Sequence, residues 1–485
     1  MAFIRKVKTK SGATAVQIAY SAYGKIVKIK HIGSAHNESE LTLLLDLANQ
    51  QLSSRQGSFF DPKPVETQID INVSVSSVLL NVLKQQYDRL CFNELADEEF
   101  RHLVIARLVE PTSKLDTVRI LAELGINNVN KDSLHRCLKR VIANNYRDKL
   151  AKLCFAYASK GAGITLVLYD VTTLYFEVQK EDEYRIPGMS KERRLEPQII
   201  VGLLVDQNGF PLELHSFEGN KAETKTILPV MEAFRKRHGL ISITVVADAG
   251  MLSANNLQAL DSAGYTYIVG SRMNKIPYNI AEYQKTKELL DNQIITSKTA
   301  IEGQRIIYQY REKRAALDKR NIEKQIEKAR KIVAGSAIAK KAKFLLTTTK
   351  NKQLNLTLID KAKALAGIKG YVTNLPASVA NNRRVIAYYH ELWHVEQSFR
   401  MSKSDLKARP IFHRKQDAIE AHLTIVMAAL AIQRQLERSV GITRKKIVKI
   451  LQPIRSGTVI IAGKEYAAGS KIPDDIKPLL KKLNL

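Results

Sequence analysis

At Gly163 the chain changes texture, and that change restricts the fold more than any other feature. Before it, residues 74 to about 160 carry apolar side chains at helical spacing. After it comes a long β-branched run, ITLVLYDVTTLYF, then a charged loop, QKEDEYRIPGMSKERRLEPQ. Two more strands, IIVGLLVD and FPLELHSFEGN, meet at Gln207-Asn208-Gly209, a hairpin signal. A helix (KTILPVMEAFRKRHG), a strand (ISITVVADAG), a short helix (SANNLQALDSAG) and a strand (YTYIVG) complete the block. Strands alternating with helical patterns predict an α/β sheet.

Three strands in hairpin order, a helix and a further strand is the opening order of a ribonuclease-H-like core. The first part of that core is expected over 161–270 and its last part over 371–438, where GYVTNLP returns to strand character before a long helical run from Asn381 to about Arg438. The intervening 271–370 reads as an insertion, β-rich and helical, that interrupts the sheet. Its strand-like pieces, RIIYQYR and FLLTTT, surround a very charged helix, RAALDKRNIEKQIEKARKIV, with Glu-to-Lys pairs at helical spacing. Residues 1–60 read as a β-hairpin, turning at Tyr23-Gly24-Lys25, and an amphipathic helix over 38–55. GSFFDPKP, from Gly57 to Pro64, reads as a linker. The basic C-terminal region, 439–485, carries two short strands, TVIIAG and KEYAAG.

Residues 61–160 form the candidate DNA-binding region. SKLDTVRILAELGINNVNKDSLHRCLKRV has the pattern of a helix-turn-helix, with Gly125 ending one helix and Lys131-Asp132-Ser133 opening a second that exposes Arg136, Lys139 and Arg140. An ordinary helical hairpin with a solvated basic face has the same pattern. The balance of 76 basic and 48 acidic residues, a formal charge of +28, points to a polyanion such as nucleic acid. Cys91, Cys137 and Cys154 form no CxxC pair, which argues against a thiolate zinc site and reads as three buried small hydrophobes. The N-terminal MAFIRKVKTKSG lacks the apolar stretch of a secretory signal, and no apolar run approaches the roughly 20 residues of a membrane span. A soluble, intracellular protein with no membrane partner is expected.

Two apolar runs reach an aspartate, Asp170 after ITLVLY and Asp248 after ITVVA. Each alone reads as a cap or turn former. As a pair at strand ends in one α/β block they read as a site for hard divalent cations, Mg²⁺ or Mn²⁺. Adjacent carboxylates repel until a cation joins them. A third carboxylate is expected from a late helix, and Glu396 is the candidate. Arg400 and Lys403, and Tyr389 before it, fall on the same helical face and would hold a phosphate backbone. The same stretch spells His390-Glu391-Leu392-Trp393-His394, the HExxH of zinc metalloproteases. Its usual extension fails, since Gln397 and Arg400 replace the Gly and His, although Glu420 lies at a distance some zincins use. A protease explains neither the charge nor the two aspartates. His390 and His394 then read as phosphate-facing or packing groups, Trp393 as a core anchor rather than a stacking platform for an extruded base, and His215, His413 and His422 as structural. Glu218 and Glu223 read as turn and helix-start residues.

The chain resembles DDE transposases of the IS4 group, in particular the IS1634-like branch. The resemblance rests on LYDVTTLYFE, on Gly188, Ser190, Lys191 and Pro197-Gln198, on FEGNKAETKT, on VVADAGMLS and GYVTN, and on YYHELWHVEQSFRMSKSDLKARPIFH. Tyr389, Glu396 and Lys403 fit the group's signature. Leu392 stands where the signature has Arg, with Arg400 as the candidate substitute. The resemblance implies a two-ion site on Asp170, Asp248 and Glu396 and a cut-and-paste reaction. Both strands would be cleaved at the inverted terminal repeats of an insertion sequence, and the 3′ ends transferred into target DNA. It also implies a homodimer on double-stranded DNA and a place at the nucleoid in a prokaryotic cytoplasm. A rival reading is a transposase-derived DNA-binding protein that no longer cleaves.

Overall fold

The computed structural model describes residues 2–9, 12–53, 69–161, 163–177, 180–189, 195–251, 253–271, 278–299, 301–336, 342–347, 352–461 and 464–484. Its contacts divide the chain into two compact units, Met1–Asn72 with Thr458–Tyr466, and Val73–Gly457 with Ala467–Leu485. In the first unit, β1 (Ala2–Lys8), β2 (Thr14–Ala22) and β3 (Lys25–Ala35) form an antiparallel sheet. Tyr23 and Gly24 both take positive φ, 52° and 75°, the two-residue turn whose twist suits a hairpin. Helix α1 (Glu38–Ser53) lays Leu41, Leu44 and Leu45 against buried Val16 and Ile18. The expected linker from Gly57 to Pro64 lies outside the described residues, and β4 (Ile69–Val75) follows it.

The second unit opens with α2 (Ser77–Arg89), α3 (Glu98–Val109), α4 (Lys114–Glu123), α5 (Lys131–Ala143) and α6 (Tyr146–Ala158). Gly125, at φ +92°, ends α4, and the Asn130 side chain caps α5 by accepting from Ser133 N at 2.8 Å. Helix α5 buries Leu134, Cys137, Leu138 and Val141 and leaves Arg136 and Lys139 exposed. Arg140 departs from the expected exposed row. Its guanidinium pairs with Asp97 at 2.9 Å and with Glu99 at 2.9 Å, so it ties α5 to α3. Cys137 and Cys154 are buried as expected, whereas Cys91 is only half-buried.

Strands β5 (Leu166–Tyr175), β6 (Gln198–Val205) and β7 (Pro211–Glu218) follow in antiparallel order, then α7 (Ile227–His238), β8 (Thr244–Ala247), α8 (Ala254–Ser262) and β9 (Thr266–Ser271). Beyond these come α9 (Tyr278–Thr286), β10 (Ile294–Lys298), β11 (Arg305–Tyr310), α10 (Glu312–Val333), β12 (Leu345–Thr347), β13 (Lys352–Leu354), α11 (Leu356–Ala364) and β14 (Ile368–Thr373). The central sheet is mixed, in the order β10-β11-β14-β9-β8-β5-β6-β7. The expected interruption of the sheet over 271–370 is therefore only partial. β10 and β11 extend it, because RIIYQY pairs antiparallel with IKGYVT along its whole length. The remainder has its own small core: α10 buries Ile322, Ile326 and Ala329 against Phe344 and Ile359.

Helices α12 (Asn382–His390), α13 (Trp393–Arg400), α14 (Gln416–Val440) and α15 (Arg444–Leu451) follow, then β15 (Ser456–Ile461), β16 (Lys464–Ala468) and α16 (Lys477–Lys482). β4, β15 and β16 make a three-stranded sheet. The run from Asn381 to Arg438 is thus not one helix. It breaks at Glu391-Leu392 and again between Leu406 and Lys415. Helix α14 is apolar on every face, and Leu423 to Ile432 are all buried, so it forms the spine under the helices and β7. No helix among the described residues is long and apolar enough to cross a membrane.

One buried charge pins α7 to the sheet. Glu213 on β7 is 1% exposed and accepts from His215 at 2.7 Å and from Arg237, with His238 within 3.4 Å. Burial opposes the charge, but hydrogen bonding from His215, His238 and Arg237 holds the carboxyl down to about 2. A carboxylate whose folded pKa is depressed adds stability above its unfolded pKa and loses it as pH falls. Glu213→Gln should therefore lose about 3 kcal/mol at neutral pH, with the gap from wild type shrinking below pH ~4, as read from urea unfolding at several pH values. A gap that stays constant down to pH ~2.5 would refute the ionic account.

Candidate active site

Asp170 does not end its strand. The β-branched and aromatic Val171–Tyr175 continue β5 against β6, pairing Asp170 with Leu203 and Tyr175 with Gln198. What ends beside Asp170 is its other neighbour. β8 runs parallel to β5 with Leu168 opposite Val246 and Tyr169 opposite Ala247, then leaves the sheet after Ala247. One step further along stand Asp170 within β5 and Asp248 immediately past the end of β8, on neighbouring chain segments that leave the pairing about 5 Å apart. Asp170 is the first residue of β5 that is not fully buried, and Asp248 is exposed.

The two aspartates open into a cavity of about 210 Å³, and Glu396 of α13 lines it too. Tyr389, at the end of α12, donates its hydroxyl to Asp248 Oδ1 at 2.8 Å. Burial, then the charge of Asp248, push the tyrosine pKa well up, so it stays a donor. A close approach makes this bond available. A Cβ on Gly270 of β9 would lie 2.5 Å from the Tyr389 hydroxyl, so only glycine leaves the ring its place.

Lys369 of β14 lines the same cavity, although no motif in the sequence pointed to it. Its ammonium sits 4.3 Å from the Tyr389 ring centre, and Tyr371 packs edge-on against Tyr389 at 4.9 Å. Burial lowers its pKa, as does Arg314, while Asp248 and Glu396 act in the opposite sense. The available sequence signal was its position two residues before Tyr371 on a strand leading into GYVTN, which places it on the same face as a core aromatic.

The HExxH spelling does not make a zinc site. His390 is the last residue of α12 and lines the carboxylate cavity. His394 is the second residue of α13 and lines a different cavity with Gln397 and Arg434, where it contacts Glu391 at 3.0 Å. Between them the backbone tightens, with Leu392 N bonding Tyr389 O and Val395 N bonding Leu392 O. That step turns the two imidazoles toward separate spaces. Glu420 is no third ligand, because it accepts from Tyr184 and Ser216 and pairs with Arg147.

Trp393 corrects the expectation of a core anchor. It follows the tightened step, is 52% exposed and lines the carboxylate cavity beside His390 and Leu392. Leu392, in place of the expected Arg, is buried in that wall. Arg400 is exposed at the end of α13, and Lys403 is half-buried in a π-helical turn, Met401–Asp405; neither lines the cavity. Other motif positions prove architectural. Gln198 donates to Gly219 O at 2.9 Å, and a Cβ on Gly188 would meet Gly219 O at 2.2 Å. Ser190 and Lys191 lie outside the described residues. Glu223 opens a short 3-10 turn, as expected of a helix-start residue.

Among the described residues, no three His, Cys, Asp or Glu side chains stand in an arrangement ready to hold an ion. The donors gathered in the cavity wall are nonetheless hard carboxylate oxygens on three separate elements. The family model described as "Transposase DDE domain" matches residues 161–432, which is more than half of the chain and includes all three carboxylates. The chain belongs to this transposase family. No curated protein sequence matches it. Among solved structures it is similar to a piggyBac transposase synaptic complex with hairpin DNA, at 11% identity over 73% of this chain and 70% of that one, with a TM-score of 0.41.

The fit of Tyr389 over Gly270 can be measured without any substrate. Gly270→Ala should destabilise the transposase domain by about 1–3 kcal/mol in urea unfolding, and most of that loss should vanish in a Tyr389→Phe background. Equal losses in the two backgrounds would show that the hydroxyl is not the obstacle.

Proposed function

We propose that this chain is a cut-and-paste DDE transposase of the IS4 group, IS1634-like branch. Its substrate is the inverted terminal repeats of an insertion sequence, which it cleaves and joins to target DNA as a dimer at the bacterial or archaeal nucleoid. The observation that carries the reading is the β5–β8 register, which sets Asp170 beside Asp248 where Glu396 lines the same cavity. The sheet order supports a ribonuclease-H-like core: taken in chain order from β5, the first five strands stand 3-2-1-4-5, with β8 and β9 parallel to β5.

Asp170, Asp248 and Glu396 are the residues that would hold the two divalent ions, Mg²⁺ or Mn²⁺. When bound, such ions supply an activated water or 3′-hydroxyl and a stabilised leaving oxygen. The chain's own groups do the rest. Tyr389 fixes the Asp248 carboxylate by its hydrogen bond, so that ligand does not have to be ordered during the reaction. Lys369, held against two tyrosine rings, offers a fixed positive charge to the phosphoryl oxygens as negative charge develops on them. His390 narrows the same cavity, and Arg400 and Lys403 extend a basic edge beyond it along the DNA. Arg136 and Lys139, exposed on α5, supply backbone contacts at a second place.

Strand cleavage of a duplex bearing the element's terminal repeat tests this reading. Wild type should cut with Mg²⁺ or Mn²⁺ and stop when EDTA is added. Glu396→Gln should lose at least ~100-fold, whereas Glu391→Gln should stay within a few fold of wild type. Loss confined to Glu391→Gln would overturn the assignment. In the same assay Lys369→Ala should cost about 10–100-fold in cleavage while leaving DNA affinity nearly unchanged, and Lys369→Arg should recover part of it. Equal loss of affinity and cleavage in Lys369→Ala would make it a binding residue only.

A further inference from the structure

The sheet of β1, β2 and β3 has its helix on one face. Cross-strand partners share a face, so the register sorts the side chains into two sets. Ile4, Val16 and Ile18 lie toward α1, and a Cβ on Gly33 would come 2.7 Å from Leu44 of that helix. On the opposite face Phe3, Ala19 and Ile29 make one row, Arg5, Gln17 and His31 the next, and Val7, Ala15 and Ser34 the third. That face is open: Phe3 and Ile29 are each 45% exposed and Val7 36%. The small Ala15 and Ala19 sit sunk between the side chains of the edge strands.

The face and its rims carry one sign of charge. From position 1 to position 37 the chain holds seven Lys or Arg and no Asp or Glu. Lys6 and Lys8 on edge strand β1, and Lys25, Lys28 and Lys30 on edge strand β3, are all exposed. Arg5 stands on the open face itself, where its Nε and Nη2 donate to Gln17 Oε1 at 3.0 and 2.9 Å. That pairing fixes two long side chains beside one another and leaves Arg5 Nη1 and the Gln17 amide N–H groups to donate. His31, opposite Gln17, is exposed and lies 3.4 Å from the Ser34 hydroxyl through Nε2.

The central row indicates which polyanion fits. A bare phosphate backbone or an anionic lipid layer needs only the lysines. Arg and Gln presented together on a regular element are the groups that match guanine and adenine edges in the major groove. Three strands about 4.8 Å apart span roughly 10 Å, which the ~12 Å major groove admits and the ~6 Å minor groove does not. The edge lysines then reach toward the phosphates of either wall. A second copy of the face is a poor cover, because it would set Arg5 and His31 against like charges with no carboxylate between them. β3 also carries one extra residue twice, at Val27 and Ile32, and such bulges twist an edge strand and blunt its pairing with another chain.

We propose that the open face of this sheet enters the major groove of duplex DNA and reads base edges through Arg5 and Gln17. The proposal rests on the transposase reading for the choice of duplex, the terminal repeat of the element. It adds to that reading a base-reading surface other than α5, whose Arg136 and Lys139 contact the backbone.

The test uses the full-length protein with EDTA, so that no cutting occurs, and reads fluorescence anisotropy on two duplexes, the terminal repeat and a scrambled repeat of the same length and composition. Wild type should prefer the repeat. Arg5→Ala should weaken binding to the repeat about tenfold and to the scrambled duplex by less than ~3-fold. Arg5→Lys should keep the affinity for the scrambled duplex without restoring the preference. Val7→Glu, on the same face, should lose repeat binding, whereas Leu43→Glu, exposed on α1 and equal in charge change, should not. Methylation of guanine N7 in the repeat should weaken wild type at discrete positions, at least one of which falls silent in Arg5→Ala. Losses by the same factor on both duplexes, equal losses in Val7→Glu and Leu43→Glu, or interference confined to adenine N3 in the minor groove would overturn the proposal. Sheet variants that bind normally while Glu396→Gln no longer cuts would remove the sheet's role and leave the transposase reading standing. Sheet variants that lose the preference in a chain whose Glu396→Gln variant still cuts would overturn the three-carboxylate reading and leave this surface standing.

Discussion

The parallel pairing of β5 with β8 is the constraint on which the site depends, because it brings two carboxylates to the same level of the sheet. Tyr169 and Ala247 are opposite one another, and the residue that follows each along the chain is an aspartate. β8 then leaves the sheet while β5 continues, so Asp170 has a paired antiparallel neighbour on one side and an opening on the other. A slip of one residue between the two strands would turn one aspartate to the opposite face of the sheet from the other.

Around that register the remaining groups are arranged by packing. Gly270 on β9 leaves room for Tyr389, which holds Asp248; Tyr371 on β14 supports Tyr389 from the side; Lys369 lies over the same ring. The tightened step at Glu391-Leu392 sets the phase of α13, so Glu396 and Trp393 share the cavity with Tyr389 while His394 leaves it. Buried α14 supports the other side of the molecule and carries His422 to the wall of a separate cavity.

Much of this was legible from the residues alone. The hairpin at Gln207-Asn208-Gly209, the start of α5 at Lys131 and the strand character of TVIIAG are local, since turns and helix starts depend on a few neighbours. Other expectations failed where neighbours distant in sequence decide. Asp170 was expected at a strand end, but VTTLY extends β5 because β6 is there to pair with it. RIIYQYR was assigned to an insertion, yet it adds a strand to the main sheet beside β14. Trp393 was read as a core anchor, yet after the tightened step at Glu391-Leu392 it stands 52% exposed. Arg140 was counted with the exposed bases of α5, and Asp97 on another helix takes it.

The sequence by itself determined the chemistry: which carboxylates exist, that Asp170 and Asp248 each follow an apolar run, and that the chain carries a large positive excess. Those properties are composition and local pattern, and they limit the class of reaction. Only the tertiary structure decided which groups meet. It joined Asp170 to Asp248 across 78 positions of chain, brought Lys369 into their cavity, and sent His390 and His394 to different spaces. It also gathered seven basic groups from five separate segments around one cavity, with no carboxylate among the described residues that line it. The reason is physical: strand register, helix phase and the room left by a single glycine are set by packing between elements, and no local rule of sequence contains that information.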